Sequence, residues 1–296
     1  MKRITLLSLV LVFASCCFAA RSPWEKIERI FNKKGTLKGD VYKIAFPRSD
    51  LDVSVGEIKL SPNLALTNWL AFKTIPKGVM MMGDLVLLES DIKGVEFILD
   101  SAGIDITALH NHIVGESPKL MYMHISGHGD ASALAAAMKN VFSAIGVPIE
   151  EDAPPPSTTD WAAVDSILGA KGTTKGEVIQ YSIPRPDKVL QDGMEIPPYM
   201  GTAIAINLQK VDDKAVATGD FVLLSGEIKP VIRTLVKGGI LVTAVHNHML
   251  NESPRLFFVH FWGFDDPLRL AETLKAVLKE LGNEQRTAKI PYNLKK

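Results

Sequence analysis

Every histidine of this chain lies in two short windows, HNHIVGESPKLMYMHISGH at 110–128 and HNHMLNESPRLFFVHFWG at 246–263. Each window holds a His-Asn-His triplet, then Glu-Ser-Pro, then one more His on a following apolar run. The residues are His110, His112, Glu116 and His124 in the first copy and His246, His248, Glu252 and His260 in the second. Neutral imidazole nitrogens with one carboxylate form a first shell suited to a divalent ion such as Zn, Mn, Fe, Ni or Cu, and ligand type alone does not choose among them. Glu116 and Glu252 are the candidate catalytic residues, each either a metal ligand or a general base toward a metal-bound water. The bland alternative is that the histidines are structural and hydrogen-bond one another and the loops.

The elements that would position these groups can be read from the same sequence. Alternate residues of a strand share a face, so His110 and His112 on a strand spanning 104–113 point the same way. If 113–119 turn the chain back, the strand 119–126 brings His124 close to opposite His112. One such site is expected in each repeat. His128 has Phe264 as its counterpart and is read as an exposed loop residue, with a lesser role toward substrate. Arg48 and Arg185 each follow a Pro at a strand end and are lesser candidates for clamping an anionic substrate, against an ion pair with Asp50 or Asp187. Asp84 and Asp220 each follow a Gly, which reads as ordinary turn chemistry before an apolar strand. The chain has no Gly-x-Ser-x-Gly elbow and no phosphate loop.

The repeat extends well beyond the histidines. Trp24 aligns with Trp161, Lys38-Gly39 with Lys175-Gly176, Pro47-Arg48 with Pro184-Arg185, and Gly83-Asp84 with Gly219-Asp220. Pro154-Pro155-Pro156 breaks any helix or ladder between the copies. The expected organisation is therefore a signal segment at 1–20, a first repeat domain at 21–149, a Pro-rich linker at 150–160 and a second repeat domain at 161–296. Within each copy, Ser22-Pro23 opens a helix, a strand runs near 41–46, an extended hairpin covers 64–72 and 79–88, and Ser90 caps a helix. The two motif strands follow, and Asp130 caps a last helix whose counterpart opens at Asp266-Pro267. The pattern is α+β: two tandem homologous domains, each an antiparallel sheet with packed helices in a split β-α-β-like order.

The first 20 residues read as an address: a basic start at Met1-Lys2-Arg3, an apolar stretch over 4–18, and a small-residue end at Cys17-Phe18-Ala19. The protein is expected to be exported, periplasmic or secreted. Cys16 and Cys17, the chain's two cysteines, fall inside this segment, so cleavage leaves no thiol for ligation or disulfides. Phe13-Ala14-Ser15-Cys16 resembles a lipobox, which would anchor the protein by lipid instead. Lys plus Arg and Asp plus Glu both number 33, so no bulk field draws the chain to nucleic acid. Small-molecule or envelope ligands remain open.

The His-x-His-x3-Glu spacing resembles the first metal motif of the cupins, which implies a cupin-like β-barrel as the alternative fold. The spacing departs from theirs at Gly103 and Met123, and His124 comes earlier than the third cupin His. Over nearly the whole mature length the chain resembles the LppY/LpqO family of exported or lipid-anchored bacterial proteins. That resemblance is carried by the doubled His-Asn-His…Glu-Ser-Pro…His element, the AspLeuValLeuLeu and AspPheValLeuLeu strands, and the leader. It implies export and a duplicated domain of unknown function. Two functional readings stand: a metal-dependent hydrolase or lyase, and a non-catalytic envelope protein that binds metal or a small ligand.

Overall fold

The computed structural model describes residues 22–150 and 154–282; the stretch 1–20, expected to be a signal segment, lies outside them. The first repeat runs α1 (Pro23–Phe31), β1 (Thr36–Lys38), β2 (Val41–Pro47), β3 (Ser54–Val55), β4 (Ile58–Lys59), α2 (Pro62–Ala65), β5 (Thr67–Ile75), β6 (Gly78–Leu88), α3 (Ile92–Ser101), β7 (Asp105–His110), β8 (Glu116–Ser117), β9 (Leu120–Gly129) and α4 (Ala131–Ala144). The second runs α5 (Ala162–Leu168), β10 (Thr173–Lys175), β11 (Val178–Pro184), β12 (Leu190–Gln191), β13 (Met194–Glu195), β14 (Ala203–Val211), β15 (Lys214–Leu223), α6 (Ile228–Lys237), β16 (Leu241–His246), β17 (Glu252–Ser253), β18 (Phe257–Asp265) and α7 (Pro267–Leu278). Single 3-10 turns at Pro198–Met200 and Ser225–Glu227 complete it.

Each repeat builds one six-stranded antiparallel sheet, in the order β1-β2-β5-β6-β9-β7 and β10-β11-β14-β15-β18-β16. Strands β6 and β7 both lie antiparallel to β9, which separates them, and α3 crosses between them. This is the split β-α-β arrangement, and no closed barrel forms among the described residues, so the cupin-like alternative falls. The capping chemistry follows the sequence at three helices: Ser22, Asp130 and Asp266 each accept backbone N–H groups of the first turn. Helix α3 differs. It starts after Asp91 rather than Ser90, and the Asp91 carboxylate is used by the Leu88 N–H at 2.9 Å.

Alternation along the strands divides each sheet into two apolar faces. In the first repeat, Ile44, Phe46, Phe72, Leu85 and Ile125 pack under helices α1, α3 and α4. The opposite face turns toward the other repeat. There Val53, Leu60, Leu64, Val86 and Tyr122 share a core with Val178 and Val216. Side chains stitch this contact to backbone: the Gln209 amide donates to the Lys59 carbonyl and accepts from the Ser61 N–H, each at 2.8 Å. Polar side chains that satisfy main-chain groups in a buried contact fix its register, because any slip leaves both sides unpaired.

Candidate metal centre

Position begins with a bulge. Ile106 pairs with Ile125, and Ala108 with His124, so Thr107 is an extra residue on β7; Thr243 is its counterpart on β16. An unbroken strand would put Ile106 and His110 on one face. Ile106 packs toward the helices, and the bulge turns Ala108 and His110 to the opposite face. The strand then ends at His110, sooner than the sequence suggested, and His112 sits in the following loop. His110 faces Tyr122 across the ladder, and His124 faces Ala108, so the expected pairing of His112 with His124 does not occur.

The rings nonetheless converge, and they do so across the repeats. His110 stacks on His246 with ring centroids 3.5 Å apart, His112 lies 3.9 Å from His260, and His124 lies 3.6 Å from His248. One constellation per repeat was expected, with their sharing left open; the six histidines form one shared cluster. Tyr122 stacks on His112 and Phe258 on His248, at 3.5 and 3.4 Å, closing its flanks.

The carboxylates of the cluster are Asp84 and Asp220, not the predicted glutamates. Asp84 is no turn residue: it sits within β6, directly opposite His124, as Asp220 sits opposite His260. Its Oδ2 lies 3.7 Å from His112 Nε2, and Asp220 Oδ2 lies 3.2 Å from His248 Nε2. Glu116 and Glu252 belong to β8 and β17 and are committed to their own loops. Glu116 Oε1 accepts from the Leu120 N–H; Glu252 takes the Leu256 N–H and an ion pair with Arg255. Neither joins a group of converging ligand atoms, whereas sets such as Asp84, His112, His124 and Asp220, His246, His248, His260 have ligand atoms within 4.8 Å of one another. The signal for the aspartates was present in the sequence: an acid inside an otherwise apolar strand, in both copies.

Hydrogen bonding fixes the tautomers of four of the six rings. His110 Nδ1 faces the Asn111 carbonyl at 3.2 Å, His246 Nδ1 the Asn247 carbonyl at 3.2 Å, and His260 Nδ1 the Gly219 carbonyl at 2.9 Å. A carbonyl only accepts, so each Nδ1 carries the proton and each Nε2 keeps its lone pair. His124 is held in the same way by the Gly83 backbone. All six Nε2 atoms are buried without a hydrogen-bond partner, as are Oδ1 of Asp84 and of Asp220. Burial holds the rings neutral, pulling His110 down to about 4 and His246 to about 3, and it pushes both aspartate carboxyls well above the usual carboxylate range. Gly83 and Gly219 let the neighbouring strand approach: a Cβ at Gly219 would meet the Ala205 carbonyl oxygen at 2.0 Å.

The remaining predicted residues lie elsewhere. Arg48 is 1 % exposed; its guanidinium donates to Asp50 and to the Val86 and Ile145 carbonyls. Arg185 does the same with Asp187, Glu227 and the Val222 carbonyl. Both are buried anchors with their donors occupied, which corrects the substrate-clamp reading. His128 is exposed at the end of β9, outside the cluster. Two surface clefts, one beside Trp161, Glu177 and Lys210 and one beside Glu25, Arg29 and Asn32, include no member of the cluster. No helix among the described residues is long and apolar enough to cross a membrane.

A search of curated proteins by sequence found no match. Among solved structures, the chain aligns with a trimeric bacterial microcompartment shell protein PduB at 12 % identity, covering 82 % of this chain and 88 % of that one, TM-score 0.20. It aligns with EtuB from Clostridium kluyveri at 11 % identity, covering 83 % and 88 %, TM-score 0.21. Superposition this loose carries no argument about fold or role. The family comparison is direct: the model described as Domain of Unknown Function (DUF1259) matches twice, over residues 25–144 and 162–280. These are the stretches that build the two sheets and supply every member of the cluster, and the chain belongs to that family, with its domain present in duplicate.

Proposed function

We propose that the protein binds divalent transition-metal ions in the cluster shared by its two repeats and holds them enclosed. The carrying observation is the set of six converging Nε2 atoms, all buried and none with a hydrogen-bond partner. Neutral imidazoles can satisfy each other only if one offers N–H, and the ring protons of His110, His246 and His260 are already given to backbone carbonyls. A metal ion is the partner that six convergent imidazole nitrogens and two carboxyl groups accept. Eight ligand atoms exceed one tetrahedral shell, so the reading is two ions, one beside Asp84 and one beside Asp220. Mixed imidazole and carboxylate donors suit Zn, Cu, Ni, Fe or Mn.

Enclosure favours holding metal over turning over a substrate. A catalytic centre keeps an open coordination position beside a cleft. Here the rings are capped by Tyr122 and Phe258, and Glu116 and Glu252 are occupied in their loops. Export is part of the same proposal and rests on the basic and apolar leader; so does kinship with the LppY/LpqO proteins, which rests on the doubled motif. The intact mass of the protein isolated from cell envelopes tests the leader, and retention of residues 1–20 contradicts it.

Metal analysis of the purified mature chain after incubation with each ion tests the centre. The expected result is about two equivalents per chain for at least one ion. Uptake no greater than that of a variant with His110 and His246 both replaced by Ala overturns the reading.

A further inference from the structure

The way the six rings stack sorts them between ions and sets the shape of each shell. Three ring contacts cross between the repeats: His110 on His246, His112 on His260 and His124 on His248. Their centroids are 3.5, 3.9 and 3.6 Å apart, and their planes are inclined by 25°, 28° and 31°. The lone pair of an imidazole nitrogen lies in the ring plane, so a bound ion lies in that plane too, about 3.2 Å from the centroid for a metal–nitrogen bond of ~2.0–2.1 Å. Planes this close and this little inclined meet only about 6 Å or more from the rings, beyond the reach of such a bond. Rings stacked on each other therefore serve different ions. One sorting by repeat meets this condition: Asp84, His110, His112 and His124 on one side, Asp220, His246, His248 and His260 on the other. The second set has all its ligand atoms within 4.8 Å of one another, as do Asp84, His112 and His124, and His110 is within the same reach of both His112 and His124.

Spacing within a set gives the shape. His246 lies 4.9 Å from His248 and 4.8 Å from His260, whereas His248 and His260 lie 6.5 Å apart. Three rings on a tetrahedral ion would all stand about 5.2 Å apart, while rings at right angles stand about 4.5 Å apart and opposed rings about 6.4 Å. The second set is thus a T: two opposed imidazoles with a third between them. Its rings lie within 37° of one another, so the T is close to flat. In the first set His110 holds the middle place, 5.0 Å from both His112 and His124. Asp220 Oδ2, 3.2 Å from His248 Nε2, is placed to take the fourth corner. Four-cornered shells of nitrogen and oxygen mark Cu(II) or Ni(II), and Zn(II) takes tetrahedral ones. Of the first two, Cu(II) binds the more tightly.

We infer that the cluster is a paired copper centre: two Cu(II) ions, each in a flat shell of three imidazoles and one aspartate from its own repeat, stacked face to face about 4 Å apart. This rests on the metal-binding reading above and adds the ion, the shell and the pairing. Copper leads the affinity order at most nitrogen sites, so uptake alone does not test the geometry. Electron paramagnetic resonance of the metal-free mature chain titrated with Cu(II) does, with Zn(II) uptake measured in parallel. Well below one equivalent, an axial spectrum with g∥ above g⊥ and nitrogen splitting is expected. At about two equivalents the integrated signal should fall well below the copper content, with a half-field line from pairs in the triplet state. His248→Ala should keep about one copper per chain, with the axial signal at full intensity and no half-field line. If that variant does not fold, the wild-type titration decides alone. Two coppers with full signal and no half-field line, a tetrahedrally distorted spectrum at low loading, or Zn(II) uptake without Cu(II) each overturn the paired centre and leave metal binding standing. Failure to take up any ion overturns both.

Discussion

The Thr107 hydroxyl donates to the His248 carbonyl at 2.5 Å, and the Thr243 hydroxyl donates to the His112 carbonyl at 2.6 Å. Each bulge residue thus holds the histidine loop of the opposite repeat. Replacing Thr107 with Val keeps the β-branched shape and removes the donor. The expected cost is about 1–3 kcal/mol of stability, because the carbonyl loses its partner at a partly buried contact. Metal affinity should fall about 10- to 100-fold, as for other groups that orient ligands. Urea denaturation and a competition titration with a chromophoric chelator measure the two effects.

The aspartates and glutamates make opposite predictions. Asp84→Asn should lower metal affinity at least ~10-fold, since an amide is a poor replacement for a ligating carboxylate. Glu116→Gln should leave metal content unchanged, because its Oε1 serves the Leu120 N–H. Metal analysis of the two variants side by side decides the matter, and loss of metal from the Glu116 variant would return that residue to the ligand set.

Acid should destabilise the metal-free protein. Burial lowers His110 and His246 from 6.5 to about 4 and about 3. Below pH 6.5 the unfolded chain gains protons that the folded chain refuses, so their contribution is full above 6.5 and is lost as pH falls toward 3. Asp84 and Asp220, raised by burial, act in the opposite sense: their contribution is present below 3.8 and is lost as pH rises through their elevated values. Between pH 7 and pH 5 the histidines dominate by number. Urea midpoints of the chelator-treated protein should be lower at pH 5 than at pH 7, and an unchanged or higher midpoint at pH 5 counts against neutral buried rings.

Removing the metal should weaken the whole molecule, since ligands from both repeats meet at one place. A free ion held at a thousand times its dissociation constant stabilises the folded state by about 4 kcal/mol per site. Thermal unfolding with and without a strong chelator should therefore differ by several degrees at minimum. Hydrogen exchange should rise first in the loops at 111–119 and 247–255.

Much of the fold could be read from the residues. Ser22, Asp130 and Asp266 announced their helices by side-chain chemistry that acts within one turn. The aligned Trp24 and Trp161, and the two histidine windows, announced the duplication. What the sequence hid depends on distant partners. Thr107 carries no mark of a bulge, yet that bulge turns His110 to the cluster face. Asp84 resembled a turn residue because a Gly precedes it, whereas that Gly serves close strand approach. Strand periodicity names two faces without saying which faces of two sheets meet, so the sharing of ligands between repeats was out of reach.

The exchange of contacts at His110 and His246, and at Thr107 and Thr243, has a consequence for the architecture as a whole. One patch is used twice, each copy answering the other, which is the isologous geometry of a symmetric homodimer. The linker joins two such protomers covalently, replacing a concentration-dependent encounter by a tethered one. A chain ending after the first repeat would carry half a ligand set, and it would complete that set only by meeting a second copy of itself.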